Sequence, residues 1–159
     1  MAKKLRIGWF SFSCCEDSSI LLVELMNEHF FEWKERIDFA YCRVLQSKQE
    51  INDLDVAFVE GAIAGKYDEK RLKGIRQNSK YLVAIGACAV DGMPSSQRNA
   101  FDRKTKAEIL PIMRKFGHRS KVVPLKDLVL VDDEVPGCPM VEQTFLDVLD
   151  KYFRLFNVK

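Results

Sequence analysis

Nowhere in this chain do roughly twenty apolar residues run together, so no segment reads as a membrane-spanning helix. Histidine occurs only at His29 and His118, isolated from each other and from the cysteines, so neither reads as a metal ligand. The C-x-x-C knuckles common in zinc sites are absent. A glycine-rich phosphate loop is absent too: SFSCCEDSS, after the first apolar run, has serines but no glycine, and its two acids would repel phosphate, which argues against a bound flavin. Charge of one sign is also lacking, with 25 Lys+Arg against 23 Asp+Glu, so no overall field favours nucleic acid or an anionic membrane. The start, MAKKLRIGWFSFS, has the two lysines of a signal peptide, but Arg6 breaks the apolar run and no small-residue cleavage site follows. The expectation is a cytoplasmic chain with no nucleic-acid partner and no direct membrane insertion. In that compartment cysteines serve metal or redox chemistry more often than disulfides.

What is present is a regular rhythm over 159 residues, enough chain to bury a core without disulfides or a structural metal. LRIGWFSF reads as a strand, and SSILLVELMNEHFFEWKER as a helix with Ile20, Leu21, Val23, Met26 and Phe30 inward. IDFAYCRV and VAFVEG are further strands, DEKRLKGIRQNS a polar helix and YLVAIGA a fourth strand. Nearly continuous apolar strands alternating with helices indicate a parallel sheet covered on both faces. We expect an α/β, flavodoxin-like doubly wound parallel sheet forming a single domain over 1–159. Beyond residue 92 the rhythm weakens. AEILPIMRKFG is a helix candidate that Pro111 shortens or kinks, the short strands in KVVPLKDLVLVDDEV suit an edge, and a last helix spans 141–156.

Four of the five cysteines fall at or beyond the carboxyl ends of strands: Cys14 and Cys15 after the first, Cys88 after the fourth, and Cys138 in VPGCPM before the last helix. That edge of an open α/β sheet is where sites assemble. Cys42 lies inside a strand pattern and reads as a small core residue. Four converging thiolates suit zinc or an iron-sulfur cluster, with buried inert thiols as the plain alternative. The missing knuckles and the flanking Gly86, Gly92 and Gly137-Cys138-Pro139 favour the larger group. A helix beginning after Cys15 would favour its negative charge.

In order along the chain, FVEGAI, VAIGACAVDGMPSSQRNAF and VPGCPM resemble the small subunit of cytoplasmic NiFe hydrogenases, a likeness that runs from about Leu5 to the final helix. The resemblance implies a flavodoxin-like fold binding one 4Fe-4S cluster beside the nickel-iron site of a separate NiFe-hydrogenase-type large subunit. It makes Cys88 and Cys138 ligands and puts Glu60 near the cluster and the subunit interface, as a proton relay or an interface residue; an ordinary carboxylate capping a helix is the plain reading. The first loop departs from the family's C-x-x-C: aligned on Cys15, Ser18 stands where the second cysteine belongs. The tandem Cys14-Cys15 pair is instead similar to the cluster subunit of respiratory NADH:quinone oxidoreductase, in which adjacent cysteines both bind. Cys14 then supplies the fourth ligand, with Ser18 or Asp17 as rivals. Neighbouring side chains on a strand face opposite ways, so the backbone must bend at this pair, between a strand end near Phe12 and a helix capped by Asp17 or Ser18.

No cysteine follows Cys138, so one cluster is expected, with electrons leaving through a further electron-transfer subunit of iron-sulfur or flavin type. The alternatives are the cluster subunit of a related quinone-reductase-type complex and a cluster-less assembly module. Arg98 and Asn99 read as loop-orienting or partner-facing, and the seven Lys/Arg between Arg103 and Lys121 as a solvated face.

Overall fold

The computed structural model describes residues 3–47 and 50–159. β1 (Leu5–Ser11) leads through α1 (Asp17–Arg36) to β2 (Ile37–Cys42); β3 (Leu54–Glu60) and the short β4 (Ile63–Gly65) precede α2 (Lys66–Gln77) and β5 (Ser79–Ile85). The chain continues through α3 (Gly86–Asp91), α4 (Arg103–Lys115), β6 (His118–Val123), β7 (Asp133–Val135) and α5 (Glu142–Leu155). Five strands form one all-parallel sheet in the order β2-β1-β3-β5-β7. The chain leaves β1 for β2 on one side and returns to β3 on the other, which makes the β1/β3 boundary the topological switch point.

All seven residues of β3 are buried, as expected for a central strand covered on both faces. On one face Ile7, Trp9, Val56, Phe58, Val83 and Ile85 pack with Leu22, Leu25 and Trp33 of α1 and Phe145, Leu149 and Tyr152 of α5. On the other, Phe10, Ala57, Val59, Leu82 and Ala84 pack with Leu72 and Ile75 of α2 and Ala89 and Val90 of α3. The doubly wound arrangement read from the sequence is the one observed. Cys42 is fully buried in the first cluster, as its strand position implies.

The inward face of α1 differs from expectation. Ile20 and Phe30 are exposed, Leu21, Val23 and Met26 only half-buried, and the sheet-facing row is Ser18, Ser19, Leu22, Leu25 and Trp33. The cause is polar: the Trp9 indole donates to Ser19 Oγ at 2.8 Å, and Ser18 and Ser19 are bound to the sheet, so the helix is turned to keep its two serines inside. α4 runs unbroken through Pro111 and contributes no buried residue. Asp102 caps it by accepting from the Thr105 amide at 2.9 Å. β6 joins β4 in a separate two-stranded antiparallel sheet, while β7 forms the edge of the main one. Arg98 and Asn99 brace that small sheet: Arg98 donates to the Arg119 carbonyl at 2.9 Å, and the Asn99 side chain pairs with both the amide and the carbonyl of Val122. Among the described residues no helix is long and apolar enough to cross a membrane.

Because Cys42 fills space between packed strands, Cys42→Ala is expected to cost about 1 kcal/mol from the lost sulfur and the void it leaves. A lowered urea midpoint with an unchanged circular dichroism spectrum is the expected result.

Candidate functional site: a thiol-lined cavity at the sheet edge

β1 ends at Ser11, and the chain pairs once more with the β3-β4 connection, Ser13 and Ala62 exchanging amide-carbonyl bonds at 3.1 Å, before it bends. The bend carries Cys14 and Cys15 and closes at Glu16, a left-handed residue with φ 64° that is the residue before α1. The turn expected at the tandem pair is therefore present. The cap differs: neither Asp17 nor Ser18 serves, and no side chain of the loop itself caps the helix. Glu60, arriving from the end of β3, accepts the Ser18 amide at 3.1 Å and the Ser19 hydroxyl at 2.7 Å. A carboxylate from the end of β3 thus satisfies one orphan amide of the first turn, where negative charge is favoured. Burial nevertheless holds the Glu60 carboxyl above the ordinary carboxylate range, against the opposing pull of the Ser19 hydroxyl and Ser18 amide.

The second loop follows β5 directly. Gly86 opens α3 at φ +78°, a region glycine favours, and a Cβ there would stand 3.2 Å from Ser18 Oγ. This places the nearly buried Cys88 in the first turn of the short helix, with the Ser95 hydroxyl 3.2 Å from its sulfur. The third loop precedes α5. Gly137, at φ +113°, leaves no room for a side chain, since a Cβ would lie 2.5 Å from the Pro139 carbonyl oxygen. The loops are tied to one another: the Ala87 amide donates to the Gly137 carbonyl at 2.7 Å, and the Met140 amide to Ser18 Oγ at 3.2 Å.

The result is one small cavity of about 20 Å³ lined by Cys14, Cys15, Cys88 and Cys138, with Glu60 and Ser18 in its wall and, among the described residues, no lysine or arginine. All four thiols singled out in the sequence therefore meet, at the carboxyl edge spanning β1, β3, β5 and β7. Cys42 does not join them. Cys88 is nearly buried, Cys14 half-buried, and Cys15 and Cys138 are exposed at the rim. Among the described residues no three cysteine, histidine or carboxylate groups come close enough to hold a single metal ion. As a donor set, four soft sulfurs on tied loops fit a larger soft-metal group better than a single hard cation. Burial, with the Glu60 carboxylate next in effect, pushes the Cys14 thiol up to about 12. A wider groove of about 660 Å³ adjoins the site and shares Cys15 with it, running between α1 and β2 past Trp9, Ile20, Val23, Tyr41 and Arg71.

The plain reading of Glu60 as a strand-end carboxylate capping a helix is the one observed, whereas the partners of Glu60, Ser18 and Ser95 were not visible in the sequence pattern. The bonds of Glu60 and Ser18 run between segments distant in sequence, and Ser95 lies in a stretch whose only local signal was for turns.

A parallel α/β domain with cysteines gathered at its switch-point edge defines a narrow class. Residues 14–152 match the family described as NADH ubiquinone oxidoreductase, 20 Kd subunit, and the chain belongs to that family. It is similar to a subunit of the F420-non-reducing hydrogenase of Methanothermobacter thermautotrophicus, 28% identical over 155 residues that cover 87% of this chain and 50% of that protein. It is also similar to the delta subunit of the NAD-reducing hydrogenase HoxS of Cupriavidus necator, 23% identical with 92% of this chain and 78% of that one covered. The chain spans about half the length of the methanogen relatives it matches. Its fold superimposes on a chain of an NAD+-reducing NiFe-hydrogenase crystallised in the H2-reduced state, with a TM-score of 0.75 at 24% identity, covering 94% of this chain and 92% of that one.

Thiolates rather than thiols are alkylated. In metal-free protein near pH 8, Cys14 therefore stays protonated and sheltered, and iodoacetamide is expected to label exposed Cys138 well before Cys14, as read by peptide mass spectrometry.

Proposed function

We propose that this chain is the electron-transfer subunit of a hydrogenase-type oxidoreductase complex, binding one 4Fe-4S cluster through Cys14, Cys15, Cys88 and Cys138 next to the active site of a separate large subunit. The observation that carries this reading is the meeting of four thiols from three loops in one cavity, in a chain of this family. When bound, such a cluster takes up or releases one electron at a time.

The residues of the chain divide the remaining work. Cys88 is fixed by the first turn of α3 and Cys138 by the Gly137 turn, so these two sulfurs have the least freedom. Cys14 and Cys15 are carried by the bend that Glu60 anchors through α1. Ser18 is not free to serve as a ligand, because its buried hydroxyl already accepts the Met140 amide. Burial of Cys14 and Cys88 limits water at the inner side. The open rim, with exposed Ile20, Met93 and Val141 close in sequence to Cys15, Cys88 and Cys138, needs cover from a partner. We assign that cover to the NiFe-hydrogenase-type large subunit, with a further iron-sulfur or flavin subunit exchanging electrons with the cluster.

The tandem Cys14-Cys15 bend also supports a second reading, the cluster subunit of a related quinone-reductase-type complex. The co-purifying large subunit separates the two: paired C-x-x-C motifs at both of its ends, which would bind nickel, support the hydrogenase. A cluster-less assembly module is the outcome if protein purified without oxygen carries no iron.

Protein isolated without oxygen is expected to be brown, to bleach with a reductant and to hold about four irons per chain. Cys138→Ala is expected to lose the cluster or keep a three-iron form, and Cys14→Ala to lose it, whereas Cys42→Ala keeps it. Ser18→Ala strands the Met140 amide and is expected to cost roughly 1–3 kcal/mol of stability while retaining iron. Retention of iron by Cys14→Ala and its loss from Ser18→Ala would make serine the fourth ligand.

A further inference from the structure

Ser95 lies seven residues beyond Cys88, where the chain turns back after α3, and its hydroxyl stands 3.2 Å from Cys88 Sγ and 2.7 Å from the Ser13 carbonyl. The turn that carries it is well tied. Gly92 ends α3 at φ +86°, its carbonyl accepts the Ser96 amide at 2.8 Å, and the Ser96 carbonyl accepts the Asn99 amide at 2.8 Å. Ser95 is half-buried, so its hydroxyl sits close to the sulfur in a partly dry setting.

A serine hydroxyl has one proton to give, and here two acceptors compete for it. The Ser13 carbonyl already receives the Ala62 amide at 3.1 Å, so it is not left unsatisfied if the hydroxyl turns away. An ionised acceptor such as a thiolate attracts a donor more strongly than a neutral carbonyl does.

We infer that Ser95 donates its hydrogen bond to the Cys88 thiolate of the bound cluster and thereby raises the cluster's reduction potential. This rests on the cluster assignment made above. Reduction adds one electron, whose charge is shared with the thiolate sulfurs; no bond is made or broken, and the proton remains on the Ser95 oxygen. The donor stabilises the more negative, reduced form more than the oxidised one, which moves the potential upward. Ser95 is a positioning residue that acts through Cys88; in the metal-free chain the same hydroxyl ties the turn after α3 to the Ser13 carbonyl, in the loop that carries Cys14.

The test uses the complex purified without oxygen as wild type, Ser95→Ala and Ser95→Thr. Potentials come from titrations followed by electron paramagnetic resonance, and exchangeable protons near the cluster from pulsed spectra in H2O and D2O. Ser95→Ala is expected to keep its iron, shift to a lower potential and lose an exchangeable-proton coupling seen in wild type, and Ser95→Thr to restore both. An unchanged potential and coupling in Ser95→Ala overturns the inference. If Ser95→Ala instead loses its iron, the wild-type spectrum decides: an exchangeable coupling that Ser95→Thr retains supports the inference, and its absence from wild type reduces Ser95 to a loop brace. Wild-type protein without iron defeats the cluster assignment itself, a result distinct from a bound cluster indifferent to Ser95.

Discussion

The site depends on one buried carboxylate. Glu60 ends the central strand β3 and reaches across to the first turn of α1, where the Ser18 amide and Ser19 hydroxyl both donate to it. Ser19 in turn receives the Trp9 indole from β1, so a polar chain runs from β1 through the helix start to β3 inside an otherwise apolar layer. Buried polar groups of this kind are tolerated only when their partners are complete. Completing them sets the rotation of α1, exposes Ile20 and Phe30, and fixes where the bend between β1 and α1 can place Cys14 and Cys15.

The same carboxylate makes the site electrostatically demanding. Cys14 lies beside it and away from water, so its thiol keeps its proton through the physiological range. Among the described residues no basic side chain lines the cavity to offset four thiolates. A cationic metal group held by these sulfurs would displace their protons on entry, and its uptake would then depend on pH. A group carrying several cations suits these walls better than a neutral ligand does.

How much of this was legible in the sequence follows from the range of each interaction. The strands and the covering helices are written in local apolar runs, so the doubly wound class could be read directly, though not the strand order. The gathering of Cys14, Cys15, Cys88 and Cys138 was also legible, because strand ends in a parallel sheet share one edge. The inward face of α1 was not. Hydrophobic spacing alone favoured Ile20 and Phe30, and only the distant partners Trp9 and Glu60 turn Ser18 and Ser19 inward. The helix cap failed for the same reason: Asp17 and Ser18 are good local caps, but a carboxylate from β3 occupies the position they would have filled. Ser95 had no periodic signal at all, since its two contacts, Ser13 and Cys88, belong to different loops.

The bonds that join the three loops have a consequence for how the site fills. Ala87 to Gly137, Met140 to Ser18 and Ser95 to Ser13 are protein-to-protein contacts that need no metal, so the folding of the sheet already bears most of the entropy of bringing the loops together. Small metal-dependent domains stay unfolded until their ion arrives; this one has its receptacle formed beforehand. A metal group taken up there would dock into a formed socket rather than have the chain fold around it. The three loops would therefore keep their arrangement with the cavity empty.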